Sequence, residues 1–81
     1  MKTIMVVALD KRRAEAPEAQ KILTEFGCII KTRLGIHDGV MDKCTDQGLI
    51  ILELVGTDEE KKQLGQRLEN LPGTRVKVVD I

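Results

Sequence analysis

Apolar and polar positions along the chain fall into distinct blocks. Thr3 to Leu9 is apolar at both parities, with Ile4, Val6 and Ala8 on one face and Met5, Val7 and Leu9 on the other. A strand of this kind is central in its sheet and covered on both sides. A polar stretch from Asp10 to Ala16 follows, then Pro17, which a helix accepts in its first turn. Ala19, Ile22, Leu23 and Phe26 recur at i, i+3, i+4 and i+7, a single helical stripe. Gly27 stands where a left-handed C-terminal cap would sit. The spacing predicts a helix from Ala14 to Phe26. Cys28 to Ile36 then alternates, with Ile29, Lys31 and Arg33 against Cys28, Ile30, Thr32 and Leu34, as a half-exposed edge strand does.

The second half repeats the order. His37 to Gly48 is polar and irregular. Gly48 to Val55 is a second strand apolar on nearly every position, with Ile50, Leu52 and Leu54 opposite Leu49, Ile51, Glu53 and Val55. Thr57-Asp58-Glu59-Glu60 fits a capping box, a Thr hydroxyl at the N-cap with a Glu three residues on. The three acidic residues suit the positive end of a helix dipole. Leu64, Leu68 and Leu71 form the buried stripe of this helix. Gly65 within it costs about 1 kcal/mol relative to Ala and leaves room for a close neighbour. Pro72-Gly73 ends the helix, and Thr74 to Ile81 alternates Arg75, Lys77 and Val79 against Val76, Val78 and Asp80.

The predicted order is β-α-β-β-α-β. Two central and two edge strands in this order specify an α+β, ferredoxin-like fold: a four-stranded antiparallel sheet, order 4-1-3-2, with both helices on one face. The strand parities place Ile29, Leu49, Ile51, Val55, Val79 and one apolar row of the first strand on the uncovered face. Lys31, Arg33, Arg75 and Lys77 stand on the same side, toward its edges. An apolar patch of this size marks an interface. The sequence therefore predicts a homo-oligomer, a dimer or tetramer, through Ile29, Leu49, Ile51, Glu53 and Val55. Glu53 is expected to pair with Lys31 or Arg33.

Composition narrows the function. The chain has 81 residues, 42% hydrophobic and 32% charged. That is a single domain, residues 1–81. A chain of this length buries only about 60–65% of its unfolded surface. Thirteen basic residues balance thirteen acidic ones, which argues against direct contact with nucleic acid or an acidic membrane. The only aromatic residue is Phe26, so stacking platforms for bases are missing. The apolar run after Lys2 is short and meets Asp10-Lys11-Arg12-Arg13 with no small-residue cleavage site, so it reads as a strand rather than a leader. Two cysteines, Cys28 and Cys44, are too few for a disulfide scaffold, and the cytoplasm is the expected compartment.

Catalytic readings find little support. One His and no Ser exclude a Ser–His–Asp arrangement. There is no phosphate-cradling or dinucleotide glycine motif, no C-x-x-C, and too few cysteines for an iron–sulfur cluster. The expected class is a non-enzymatic module. His37, Asp38, Asp42, Cys44 and Asp46 share one loop. His37 and Cys44 are candidate ligands for a borderline-soft transition metal, set against the plainer reading of a polar loop. Cys28 reads as a small hydrophobe at a strand start, too far from Cys44 for a disulfide. Asp10, Lys11 and Arg12, at the strand-to-helix turn, are candidate contacts for a small-molecule effector, with Arg33 and His37; the plainer reading is a solvated turn. The sequence names no cofactor.

Three segments carry a resemblance: Lys31-Thr-Arg-Leu-Gly-Ile-His, Gly48-Leu-Ile-Ile-Leu-Glu-Leu-Val-Gly, and Leu64…Leu68…Leu71-Pro-Gly-Thr-Arg-Val-Lys. With the first-half pattern of strand, charged turn and amphipathic helix, the chain resembles small bacterial regulators of the iron-only hydrogenase system along nearly its whole length. The resemblance implies an ACT-like domain, related in shape to the metal-binding half of nickel-responsive repressors. Arg33 and Gly35 stand where those repressors would place strand histidines, and His37 and Cys44 are the rough counterparts that remain. The ribbon-helix-helix segment that contacts DNA in those repressors has no counterpart, so transcriptional control would pass through a protein partner. The expected function is a small regulatory module sensing a ligand or metal as a homo-oligomer. The alternatives are a protein-interaction or structural subunit without ligand, and a transition-metal-binding domain using His37 and Cys44.

Overall fold

The structure, a computed structural model, describes residues 2–10, 12–37 and 48–81, with the backbone alone for residues 12–14, 36 and 37. Its elements run β1 (Thr3–Leu9), α1 (Arg12–Glu25), a 3-10 turn (Gly27–Ile29), β2 (Ile30–His37), β3 (Gly48–Leu54), α2 (Asp58–Glu69) and β4 (Thr74–Asp80). The sheet order is β2-β3-β1-β4, every neighbour antiparallel. This is the expected ferredoxin-like α+β fold with β1 and β3 at the centre.

Burial alternates strictly along both central strands. Met5, Val7 and Leu9 of β1 and Ile50, Leu52 and Leu54 of β3 point inward. They meet Ala19, Ile22 and Leu23 of α1 and Leu64 and Leu68 of α2, with Ile29 closing the core beside them. Met5, Val7, Leu23, Leu52, Leu64 and Leu68 are fully buried, each contributing roughly 1.5–3 kcal/mol of transfer free energy. At Gly65 a Cβ would stand 3.4 Å from Met5 Cε, an ordinary contact with the tip of a flexible side chain, so the packing of α2 on β1 does not require the glycine.

Helix α2 starts as the sequence predicts. The Thr57 hydroxyl accepts from the Glu60 amide at 3.1 Å, and the Glu60 carboxylate accepts from the Thr57 amide at 2.9 Å. Helix α1 differs. It begins at Arg12, so Pro17 lies inside it rather than in its first turn. The missing N–H removes one intrahelical bond. Gly27 is not a left-handed cap; it opens the 3-10 turn. Among the described residues the left-handed glycines are Gly56 (φ 99°) and Gly73 (φ 71°). Arg67 of α2 binds the Glu25 carboxylate at 2.9 Å and lies 5.8 Å from the centroid of the Phe26 ring, joining the two helices at the surface.

The second strand departs from its predicted parity. Ile30 pairs with Leu54 while Thr32 pairs with Glu53, so Lys31 is the extra residue of a β-bulge. An extra residue exchanges the faces of everything beyond it. Thr32 and Leu34 therefore lie on the open face, and Arg33 falls on the helix side. Ile29, expected on the open face, is buried at 5% exposure because the 3-10 turn folds it into the core. Cys28, expected as a packed small hydrophobe, is exposed on that turn.

Replacing Gly56 with Ala combines left-handed strain with a Cβ 2.8 Å from Ile29 Cγ2, and should cost more than about 1 kcal/mol in denaturant titration. The same change at Gly35, a strand position where nothing stands within 4 Å, should raise the midpoint, by about 0.4–1 kcal/mol of stability. Removing the cap with Thr57→Ala should cost about 1 kcal/mol. The Thr57 backbone and side-chain hydrogen bonds hold the Glu60 carboxyl below the ordinary glutamate range, and the Arg67 hydrogen bond and charge do the same for Glu25. Groups depressed in the folded state stabilise it above the unfolded pKa and lose that contribution as pH falls through the folded value. The melting temperature should therefore drop below about pH 4.5, and the Glu25→Gln, Glu60→Gln double variant should show a shallower acid slope.

Candidate functional site

The strand register gathers several candidate residues at one end of the sheet. Leu9 pairs with Gly48 on one side and Thr74 on the other, and Gly48 pairs with His37. Asp10 follows directly. Its amide donates to the Gly73 carbonyl at 2.9 Å, and its carboxylate takes Arg75 Nη2 at 3.0 Å. Gly73 is required there by its left-handed backbone (φ 71°) rather than by space, since a Cβ would stand in ordinary contact, 3.5 Å from Asp10 Cβ. The β1–α1 connection is thus fastened to the start of β4. Both charges are largely exposed, so the ion pair itself is worth about 0–1 kcal/mol and mainly orients the turn. Arg12 opens α1 directly beyond. Lys11 and Cys44 lie outside the described residues, as do Asp38, Asp42 and Asp46. Among the described residues no group of three or more His, Cys, Asp or Glu could hold a metal ion.

Arg33 stands apart from this cluster. It occupies the rung of Leu52 and Met5, four residues along β2 from His37, on the order of 13 Å away. Its Nη2 donates to Gln20 Oε1 of α1. The bulge at Lys31 explains both the face and the partner, and neither the pairing with Glu53 nor a place on the open face is found.

One residue at the β1–α1 end was not singled out from the sequence. Thr74 is buried at 9% exposure, and its hydroxyl has no hydrogen-bond partner among the described residues. Its amide donates to Leu71 at the end of α2. A buried hydroxyl without a partner costs about 1–3 kcal/mol, so such a group calls for a physical explanation, of which completion by a water or a ligand is one. Its signal in the sequence was a polar residue at the inward parity of a strand that continues with Val76 and Val78.

The open sheet face is apolar at its centre. Ile4, Val6, Ala8, Leu49 and Ile51 are half-buried by one another, while Leu34 at 53% and Val79 at 49% are exposed. Val55 follows in the same parity at 44%. Arg75 and Lys77 border the face along β4. Glu53 anchors the opposite end, with Lys2 at 3.6 Å, Lys31 at 4.0 Å and the Thr32 hydroxyl at 3.5 Å. The expected pairing with Lys31 is present. No helix among the described residues is long and apolar enough to cross a membrane.

No family model matches the chain, and no curated protein matches it. Solved structures match along nearly its whole length. An uncharacterized protein from Thermotoga maritima, TM1266, superposes with a TM-score of 0.82 at 23% identity, covering 96% of this chain and 92% of that one. The ACT domain of the GTP pyrophosphokinase of Chlorobium tepidum gives 0.70 at 12% identity, covering 100% and 88%. CPII from Thiomonas intermedia K12, a nitrogen regulatory PII-like protein bound to ADP, AMP and bicarbonate, gives 0.64 at 16% identity, covering 99% and 88%. These likenesses give the fold and no family name: the chain has an ACT-like ferredoxin fold.

Proposed function

We propose that this chain is a non-enzymatic cytoplasmic regulatory module that binds a small-molecule effector as a homo-oligomer. The observation that carries the reading is the ACT-like fold over the whole chain. It supports a regulatory role because solved proteins of the same shape include an ACT domain and a nucleotide-bound regulatory protein. The effector site is the end of the sheet where Asp10, Arg12, Thr74 and the His37 rung converge, with Lys11 in the same connection. The unsatisfied Thr74 hydroxyl supplies a group for a ligand to complete, and Asp10 is already oriented by Arg75 and Gly73. Subunits associate through the open face around Leu49, Ile51 and Val55, with Glu53 at its charged margin. Regulation of an iron-only hydrogenase system through a protein partner is the finer form of this reading and rests on the sequence resemblance.

Native mass spectrometry at micromolar concentration should give a dimer or tetramer, and Ile51→Lys should reduce it to monomer. Thermal denaturation with ADP, AMP and bicarbonate as first probes should identify an effector by an upward shift. Saturation at a hundredfold over Kd adds about 2.7 kcal/mol, which raises the melting temperature by roughly 10–20 °C for a domain of this size. Asp10→Ala should abolish that shift. A wild-type monomer would overturn the interface, and an effector shift unchanged by Asp10→Ala would overturn the site.

A further inference from the structure

The opposite end of the sheet holds a cavity that this reading does not use. It lies between the start of β1, the end of β4 and the first two turns of α2. Its volume is about 300 Å³, and it is lined by Thr3, Asp58, Lys61, Lys62, Val78 and Asp80. Thr3 pairs with Asp80 across the β1–β4 ladder, whereas the Asp10 cluster begins beyond Leu9, at the far end of the same strand.

The wall of this cavity is organised by one buried hydroxyl. Thr3 is 2% exposed. It donates to Asp80 Oδ1 at 2.7 Å and accepts from Lys61 Nζ at 2.8 Å. An ammonium carries three donors, so Lys61 is pinned by one and keeps two for something else. Among the described residues neither Lys61 nor Lys62 forms an ion pair. Two ammonium groups with donors to spare therefore border one cavity. Val78, half exposed at 50%, gives it an apolar wall, extended by the aliphatic stems of the lysines.

These features select a ligand. The lysines call for an anion. Asp58 and Asp80 on the same rim limit its charge, because a second negative charge would face two carboxylates at short range. The same carboxylates accept hydrogen bonds and so favour a ligand with a donor. The volume sits at the low end of small-molecule sites. We propose that this cavity is a second small-molecule site, taking a singly charged short-chain hydroxycarboxylate. Its carboxylate meets Lys61 and Lys62, its aliphatic body rests on Val78, and its hydroxyl donates to Asp58 or Asp80. The site is independent of the effector site at the Asp10 end, and Asp10→Ala leaves it intact.

The test is a titration of the full chain with sodium 2-hydroxybutyrate at constant ionic strength, followed by amide NMR. Saturable shifts are expected at Thr3, at residues 58–62 and at residues 78–80, with the amides around Asp10 and Thr74 unmoved. Lys62→Ala changes an exposed side chain and should keep the remaining spectrum while weakening binding about tenfold, the loss of roughly one charged contact. Butyrate, which lacks the hydroxyl, should bind more weakly, and inorganic phosphate should not saturate. Shifts that grow linearly without saturation would overturn the site, as would equal affinity in Lys62→Ala. Phosphate saturating the same amides as tightly as 2-hydroxybutyrate would overturn the ligand class.

Discussion

The structure depends on an imbalance at its centre. β1 and β3 are apolar on both faces, yet the two helices cover only one of them. The covered rows, Met5, Val7 and Leu9 with Ile50, Leu52 and Leu54, lock against Leu23, Leu64 and Leu68 and form the core. The rows on the other side have no helix. Ile4, Val6, Ala8, Leu49 and Ile51 shelter one another only in part. Burying this second face would recover roughly 25 cal/mol for each Å² removed from water. In a chain of 81 residues, with total stability on the order of 4–12 kcal/mol, covering that face would add a large fraction of the total. Charge is confined to its margins: Arg75 and Lys77 along β4, and Glu53 with Lys2 and Lys31 at one end. In the proposed oligomer the margins would set orientation and the centre would supply the driving force.

Most of this was legible in the sequence because it follows from periodicity. The runs apolar at both parities in β1 and β3, the Leu64–Leu68 stripe and the Thr57–Glu60 capping box each fix a local structure, and together they allow few topologies. The failures around the second strand have two physical sources, a bulge and a 3-10 turn. A β-bulge adds a residue without leaving a signature in the apolar pattern, so the insertion at Lys31 moved Arg33 to the helix side and Thr32 and Leu34 to the open face. Ile29 and Cys28 were assigned to a strand when the chain there makes a 3-10 turn, which buries the first and exposes the second. Residues on regular strands were placed correctly; those on either side of the irregularity were not. The candidate site divides on the same line. Asp10 and His37 fall at one end of the sheet because register brings them there, and Arg33 does not join them because the bulge turns it toward Gln20.

The β1–β4 ladder shows how the two ends of the molecule differ. Its terminal rungs each carry a buried threonine, Thr3 opposite Asp80 and Thr74 opposite Leu9. Thr3 is satisfied twice over, donating to Asp80 and accepting from Lys61, and its burial ties α2 to the end of β4. Thr74 is buried nearly as well, but its hydroxyl has no partner among the described residues. The two residues have the same side chain on the same face of the same pair of strands, so propensity and parity cannot account for the difference. What differs is the neighbourhood. At the Thr3 end α2 is starting, and its second turn carries a lysine within reach. At the Thr74 end α2 has finished, and among the described residues Asp10 and Arg75 are occupied with each other on the surface. An unsatisfied hydroxyl costing about 1–3 kcal/mol is a considerable fraction of the stability of so small a domain. A valine at position 74 would fit the same inward parity without that cost. A threonine there has a physical rationale if the hydroxyl is completed by something that arrives from outside, and that favours the Thr74 end over Arg33 for the proposed effector site.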